Sequence, residues 1–228
     1  MLKIPLKSIY AFSLLLILVI NKPASAAEPD TIPFRPNFTV GYDVSGQIMR
    51  LLYPVLSRHG LTLSYEWRPN WLATIETGTA HVEIREERHI YFSRGMFFKA
   101  GANFNLLQNN PLIRGNQIFF LMRYGFGFLN HEAPLINIHD GYWGEANVSF
   151  EKSRVGSHWA EFGGGLRTRL TGNLFIGWDV RLRFLLAQNQ EEELNPYYIP
   201  GFGRGSDNTS VVFQYFIYYK FPLNNSRP

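Results

Sequence analysis

Three features of the sequence predict an all-β chain folded as an eight-stranded antiparallel transmembrane β-barrel with a polar, filled interior. Segments alternating apolar and polar residues recur along most of the chain, the pattern of strands with two unlike faces. The connections between them alternate short and long, as they do when hairpin turns gather at one end of a barrel and loops at the other. The glycines collect on the polar face, which places that face in the confined interior.

The chain begins with "MLKIPLKSIYAFSLLLILVINKPASA", residues 1–26. Lys3 and Lys7, the apolar run at 11–20 and the small residues at 24–26 read as a secretory signal peptide. That run is too short to span a bilayer as a helix. The signal holds three of the 22 basic residues and none of the 18 acidic ones, so its removal lowers the net charge from +4 to +1. The remaining 27–228 is sized for one barrel domain, and its near-neutral charge gives no reason to expect nucleic-acid binding. With no cysteine, an exported chain must hold its fold without disulfides and has no lipoprotein anchor.

Strands are expected at 36–44, 60–68, 71–79, 92–107, 116–130, 156–170, 173–187 and 208–221. Several are long enough to cross a membrane at a tilt. Pro69-Asn70, "QNNPLIRG" (108–115) and Thr171-Gly172 make the short connections. The stretches 45–59, 80–91, 131–155 and 188–207 make the long ones. Within the first of these, Ile48, Leu51, Leu52, Val55 and Leu56 fall at helical spacing. Pro54 would shorten such a helix, and an irregular apolar loop packed on the rim fits the same residues.

"NLFIGWDVRLRFLLA" (173–187) sets Asp179, Arg181 and Arg183 between Trp178, Val180, Leu182 and Phe184. Alternation alone does not say which face is inside, because a soluble barrel alternates too. Gly41, Gly78, Gly101, Gly125, Gly127, Gly163, Gly165 and Gly177 all lie on the polar face, and Gly164 alone on the apolar one. Small residues belong where space is short. The polar face is also rich in arginine, whose planar fork suits buried carboxylates. Its cations are Arg68, Lys99, Arg123, Arg167, Arg169, Arg181, Arg183 and Lys220, and its acids Asp43, Glu66, Glu76, Glu161 and Asp179. They are expected to form a lumen charge network, with surplus cations near the wet rims. The apolar face, with Trp67, Trp71, Trp178, Tyr215 and Tyr219 as candidate girdle aromatics, is expected to meet the lipid of a bacterial outer membrane.

An eight-stranded lumen is filled by side chains, so no substrate pore is expected and function should lie in the loops or on the wall. "NPYYIPGFGRG" (195–205) is stiff and sticky. Tyr197, Tyr198, Ile199 and Phe202 are expected to cap the mouth or to form a binding surface. The alternative is an enzyme acting on outer-leaflet lipid, which needs a nucleophile, base and orienting acid near the rim. His59, His81, His89, His131, His139 and His158, with Ser93, Ser157, Glu132 and Asp140, supply residue types but no motif. Ser157 and His158 are adjacent, and adjacent strand residues face opposite ways. Neither "EEE" (191–193) with Asp207 nor "HVEIREERHI" (81–90) has metal-ligand spacing, so no metal or cofactor is expected.

"PYYIPGFGR" (196–204) followed by "VVFQYFIYYKFPL" (211–223) resembles an uncharacterised family of Bacteroidota outer-membrane proteins. "LFIGWDVRLRFLL" (174–186) and "YGFGF" (124–128) resemble that family's penultimate and mid-barrel strands. The resemblance implies an outer-membrane β-barrel from that phylum, a domain of unknown function with no catalytic residue to carry over. In architecture it is similar to small barrels of the OmpX and OmpA type. The expected protein is thus a monomeric barrel of structural or loop-mediated binding role, with outer-membrane lipid and an extracellular ligand as candidate partners.

Overall fold

A computed structural model describes residues 36–107, 116–140, 144–190 and 195–223. The signal peptide, the turn at 108–115 and the glutamates at 191–193 lie outside the described residues.

Eight strands close into one antiparallel ring. They are β1 (Asn37–Asp43), β2 (Leu56–Arg68), β3 (Trp71–Glu86), β4 (His89–Asn105), β5 (Gln117–Asp140), β6 (Gly144–Thr171), β7 (Leu174–Gln190) and β10 (Thr209–Pro222). The last strand, β10, closes the ring by pairing with both β1 and β7. Helix α1 (Ser45–Leu52) follows β1, and the two short strands β8 (Tyr198–Ile199) and β9 (Gly203–Arg204) form a separate hairpin between β7 and β10. Along the ring each strand is paired on both sides.

At one end, the turn end, β2 and β3 are joined by Pro69-Asn70, with Asn70 at φ 67°. There β6 and β7 are joined through Gly172 at φ 50°, a left-handed conformation that glycine adopts without strain. The other end, the loop end, carries α1, the β3–β4 and β5–β6 hairpins and the β8–β9 segment. The apolar residues Ile48, Leu51 and Leu52 of α1 remain uncovered, Leu51 to 85%. The helix stops at Tyr53, whose N–H still donates to the Met49 carbonyl, immediately before Pro54.

Strands β3 to β6 run well beyond the expected ends. The stretch 80–91 is not a loop, because Glu86 pairs with His89 across a two-residue turn. Most of 131–155 is likewise strand. The reason is an inversion of polarity. Around the middle of the barrel apolar side chains point outward and form a belt, including Leu63, Ile75, Phe98, Phe120, Leu182 and Ile217. Toward the loop end Ala80, Val82, Ile84, Tyr91 and Ala133 turn inward as a core, and His81, Glu83, Arg85 and Arg94 face out. The period-two ladder continues, but as in a barrel standing in water. A half-collar of four strands therefore rises above the belt.

Inside the belt the glycines seat aromatic rings. A Cβ on Gly125 would clash with the Trp159 ring, and one on Gly41 with the Tyr218 ring. Gly164, on the outer face, forms part of an open apolar trough with Phe120, Met122, Phe162 and Trp178. Trp67 and Trp71 stand exposed at the turn end of the belt, whereas Trp178 stacks on Phe213 at 5.3 Å.

Two substitutions test these faces. Leu182→Arg is expected to lower the unfolding free energy in lipid vesicles by about 2–4 kcal/mol, the cost of a cation on a lipid-facing wall. Gly125→Leu is expected to abolish the folded, heat-modifiable form on gels, because Trp159 occupies the space.

Candidate functional site

The lumen is crossed by a closed cluster of charges. Glu76 on β3 receives Lys99 Nζ at 3.1 Å, Arg181 Nη1 at 2.8 Å and the Arg123 guanidinium. Arg181 stands on β7, four strands from β3 and so on the opposite wall. Glu161 on β6 is met by Lys99 at 2.9 Å, Arg183 Nε at 2.9 Å and Arg181 at 3.2 Å, and it accepts the Trp159 indole N–H at 2.8 Å. Asp179 takes Arg181 in a two-point grip, with both contacts at 2.8 Å. All these side chains are buried. Alternation explains the arrangement, since each residue is at an inward position and Glu161 is register partner to both Arg123 and Arg183.

The network continues toward the loop end through neutral links. Arg183 donates to Gln214 Oε1 at 2.9 Å, and Gln214 donates to Asp43 Oδ2 at 2.7 Å. The other Asp43 oxygen is met by the backbone N–H and hydroxyl of Ser45. Asp43 thus joins the cluster through hydrogen bonds rather than a direct ion pair. Toward the turn end, Glu66 faces Lys220 at 4.0 Å and accepts from Asn37. Arg167 lies over the Tyr218 ring at 3.9 Å. Arg169 does not belong to the buried network, because it is exposed at the turn-end rim beside a register shift, over Phe175 at 5.5 Å. Arg68 is exposed beside a similar shift and covers Trp67 at 4.2 Å.

Above the charges sits the β8–β9 hairpin. Ile199 and Phe202 are fully buried among Phe97, Leu129, Val155 and Trp159. Tyr198 packs into the core of the collar, and its hydroxyl accepts from Arg58 at 3.3 Å. The Phe202 carbonyl accepts from Arg183 at 2.8 Å, which ties the hairpin to the charge cluster. Tyr197 alone of the four aromatic and aliphatic candidates stays out, 52% exposed. Between hairpin and network remains a cavity of about 10 Å³ lined by Asp43, Arg58, Lys99, Arg183 and Gln214 among others, room for about one water. Trp159, Asn103 and Gln214 complete the lumen without having been singled out from the sequence.

The histidines are dispersed. His59 and His158 share hydrogen bonds with Tyr42 (2.8 Å) and Tyr124 (2.6 Å). His81 lies 3.7 Å from Glu83. His131 is buried inward between its register partners Ser93 and Ser153. Ser157 is buried inside, so it does not meet His158 on the half-exposed outer face. The side chains of His139 and Asp140 lie outside the described residues. Among the described residues no three His, Asp or Glu side chains gather as metal ligands.

A closed eight-stranded ring with an apolar belt outside and a packed, charge-paired lumen defines the class of small filled outer-membrane-type β-barrels. The chain belongs to the family described as Domain of unknown function (DUF6048), whose model matches residues 1–226. Among solved structures, it is similar in fold to a major outer membrane protein from Thermus thermophilus. The TM-score there is 0.52 at 9% identity, over 82% of this chain and 100% of that one. The N-terminal β-barrel domain of Pseudomonas aeruginosa OprF aligns with TM-score 0.37 and 9% identity, over 82% and 98%. No curated protein matches the sequence.

The cluster can be tested by removing one charge. Asp179→Asn removes the two-point partner of Arg181 and leaves one buried cation in surplus, and it is expected to destabilise the barrel by about 3–5 kcal/mol. Glu151→Gln, at an exposed position, should stay within about 0.5 kcal/mol. Asp179→Asn combined with Arg181→Met should recover part of the loss. Denaturant midpoints in detergent check all three.

Proposed function

We propose that this protein is a monomeric barrel of a bacterial outer membrane, of the Bacteroidota type the sequence resembles. Its belt lies in lipid, its turn end faces the periplasm and its collar faces outward. Its role is structural or surface-binding, and it carries no substrate across. The observation that supports this most directly is the double obstruction of the lumen, by the charge cluster at mid-height and the buried hairpin above it. A passage would have to separate ion pairs that lack water to replace them. The uncovered apolar residues of α1, next to the top of the belt, suit the lipid interface.

In this reading the parts open to a partner are the outer wall of the collar, the rim around Tyr197 and the lipid-facing wall. His131 and its serine neighbours lie inside the collar, away from lipid, and Ser157 points inside while His158 points out, so a non-enzymatic role fits these placements better. In planar bilayers the purified protein is expected to give no stable conductance of porin size. A large, long-lived ohmic channel would overturn the reading. Outer membranes with and without the protein are expected to have the same acyl-chain composition, which lipid mass spectrometry checks against the enzymatic alternative.

A further inference from the structure

Where the collar leaves the belt, the outer wall carries a row of side chains that neither lumen nor hairpin uses. Register pairing sets His81 on β3 beside Arg94 on β4, Arg94 beside Asn130 on β5, and Asn130 beside Arg154 on β6. All four point outward, since their chain neighbours Ala80, Ser93, Leu129 and Val155 are buried in the collar. Arg94 and Arg154 each stand one strand from Asn130, about 4.8 Å away along the sheet. Both guanidinium groups can therefore turn over the same amide. Among the described residues, neither arginine has an ion-pair partner. Of the nearby carboxylates, Glu83 is engaged by Arg85, whose hydrogen bond and charge hold its carboxyl below the ordinary range. Glu132 lies above the row, paired with Phe92.

The row immediately below, Thr79 on β3 aside, is apolar. Met96 is 60% exposed and Phe128 59%, and β6 there has only Gly156. Farther down β6 the outward positions are His158, Ala160, Phe162 and Gly164, so the open place on this strand is at Gly156, directly beneath Arg154.

We infer that Arg94, Asn130 and Arg154 hold the phosphate of an anionic membrane lipid whose acyl chain lies against Met96, Phe128 and Gly156. Guanidinium forks match phosphate oxygens in two-point contacts, and the asparagine amide adds donors between them. The height decides for a lipid. The cations stand one step above exposed apolar side chains, where a headgroup meets its own chains, and a free anion would make no use of the lower row. The inference rests on the reading that the belt lies in a membrane with the collar outward.

The test folds the full chain into neutral-detergent micelles and titrates it with diphosphoryl lipid A or its dephosphorylated form, with bound lipid counted by native mass spectrometry. The wild type is expected to prefer the phosphorylated form by about tenfold or more, and R94Q/R154Q to lose that preference while keeping its affinity for the other. R68Q/R169Q, which removes two exposed cations at the opposite end, is expected to keep it. Should R94Q/R154Q fail to fold, R154Q alone is expected to weaken the preference. An unchanged preference in the folded variants, an equal loss in both double variants, or displacement of the lipid by inorganic phosphate would overturn the inference. Failure of the wild type to insert into vesicles as a heat-modifiable barrel would instead sink the membrane reading. Insertion without a phosphate preference sinks only the lipid site.

Discussion

The contact between Glu76 and Arg181 joins opposite walls of the ring, and much of the interior is arranged so that it can exist. Charges taken out of water are stable only when nearly every oxygen and N–H finds a partner. Here Glu76 and Glu161 share Lys99 and Arg181, Asp179 holds Arg181 from its own strand, and Trp159 donates to the Glu161 oxygen that also meets Lys99. Asp43 balances the set from above through Gln214. Four acids thus face Lys99, Arg123, Arg181 and Arg183. Glycines leave room for these side chains to meet inside a ring whose girth is set by the number and stagger of its strands.

The same alternation serves two surroundings. Along the belt the polar residues are inside, and in the collar the apolar residues are. β3 shows the change within one strand, from Thr74 and Glu76 inward to Val82 and Ile84 inward. Strand number, order and both ends of the barrel were legible because the belt pattern is long and uniform. The collar was not, because its pattern has the opposite phase, and "HVEIREERHI" reads as a charged loop until Val82 and Ile84 are seen as one face.

The charges of the lumen were legible as a set, since parity places each of them. Their pairing was not, because it depends on how the ring closes, and no spacing along the chain brings Glu76 to Arg181. Arg169 has the same parity as Arg167 and Arg181, yet the register shift near Thr171 leaves it in water at the rim. Trp159 left a readable trace that parity alone did not reveal: Gly125 and Gly127 on the next strand, two vacancies side by side, fit one large ring.

Tyr218 has a bearing on how the barrel closes. It sits on β10, the last strand to be made, and its ring occupies the space over Gly41 on β1 and beside Gly177 on β7. A strand slipped by two residues keeps its faces and much of its hydrogen bonding, so alternation cannot reject the error. The ring can. Slipped against β1, it would meet Thr39 or Asp43 in place of Gly41. One aromatic side chain thereby gauges the closing seam, and the barrel locks shut only when the first and last strands agree on their alignment.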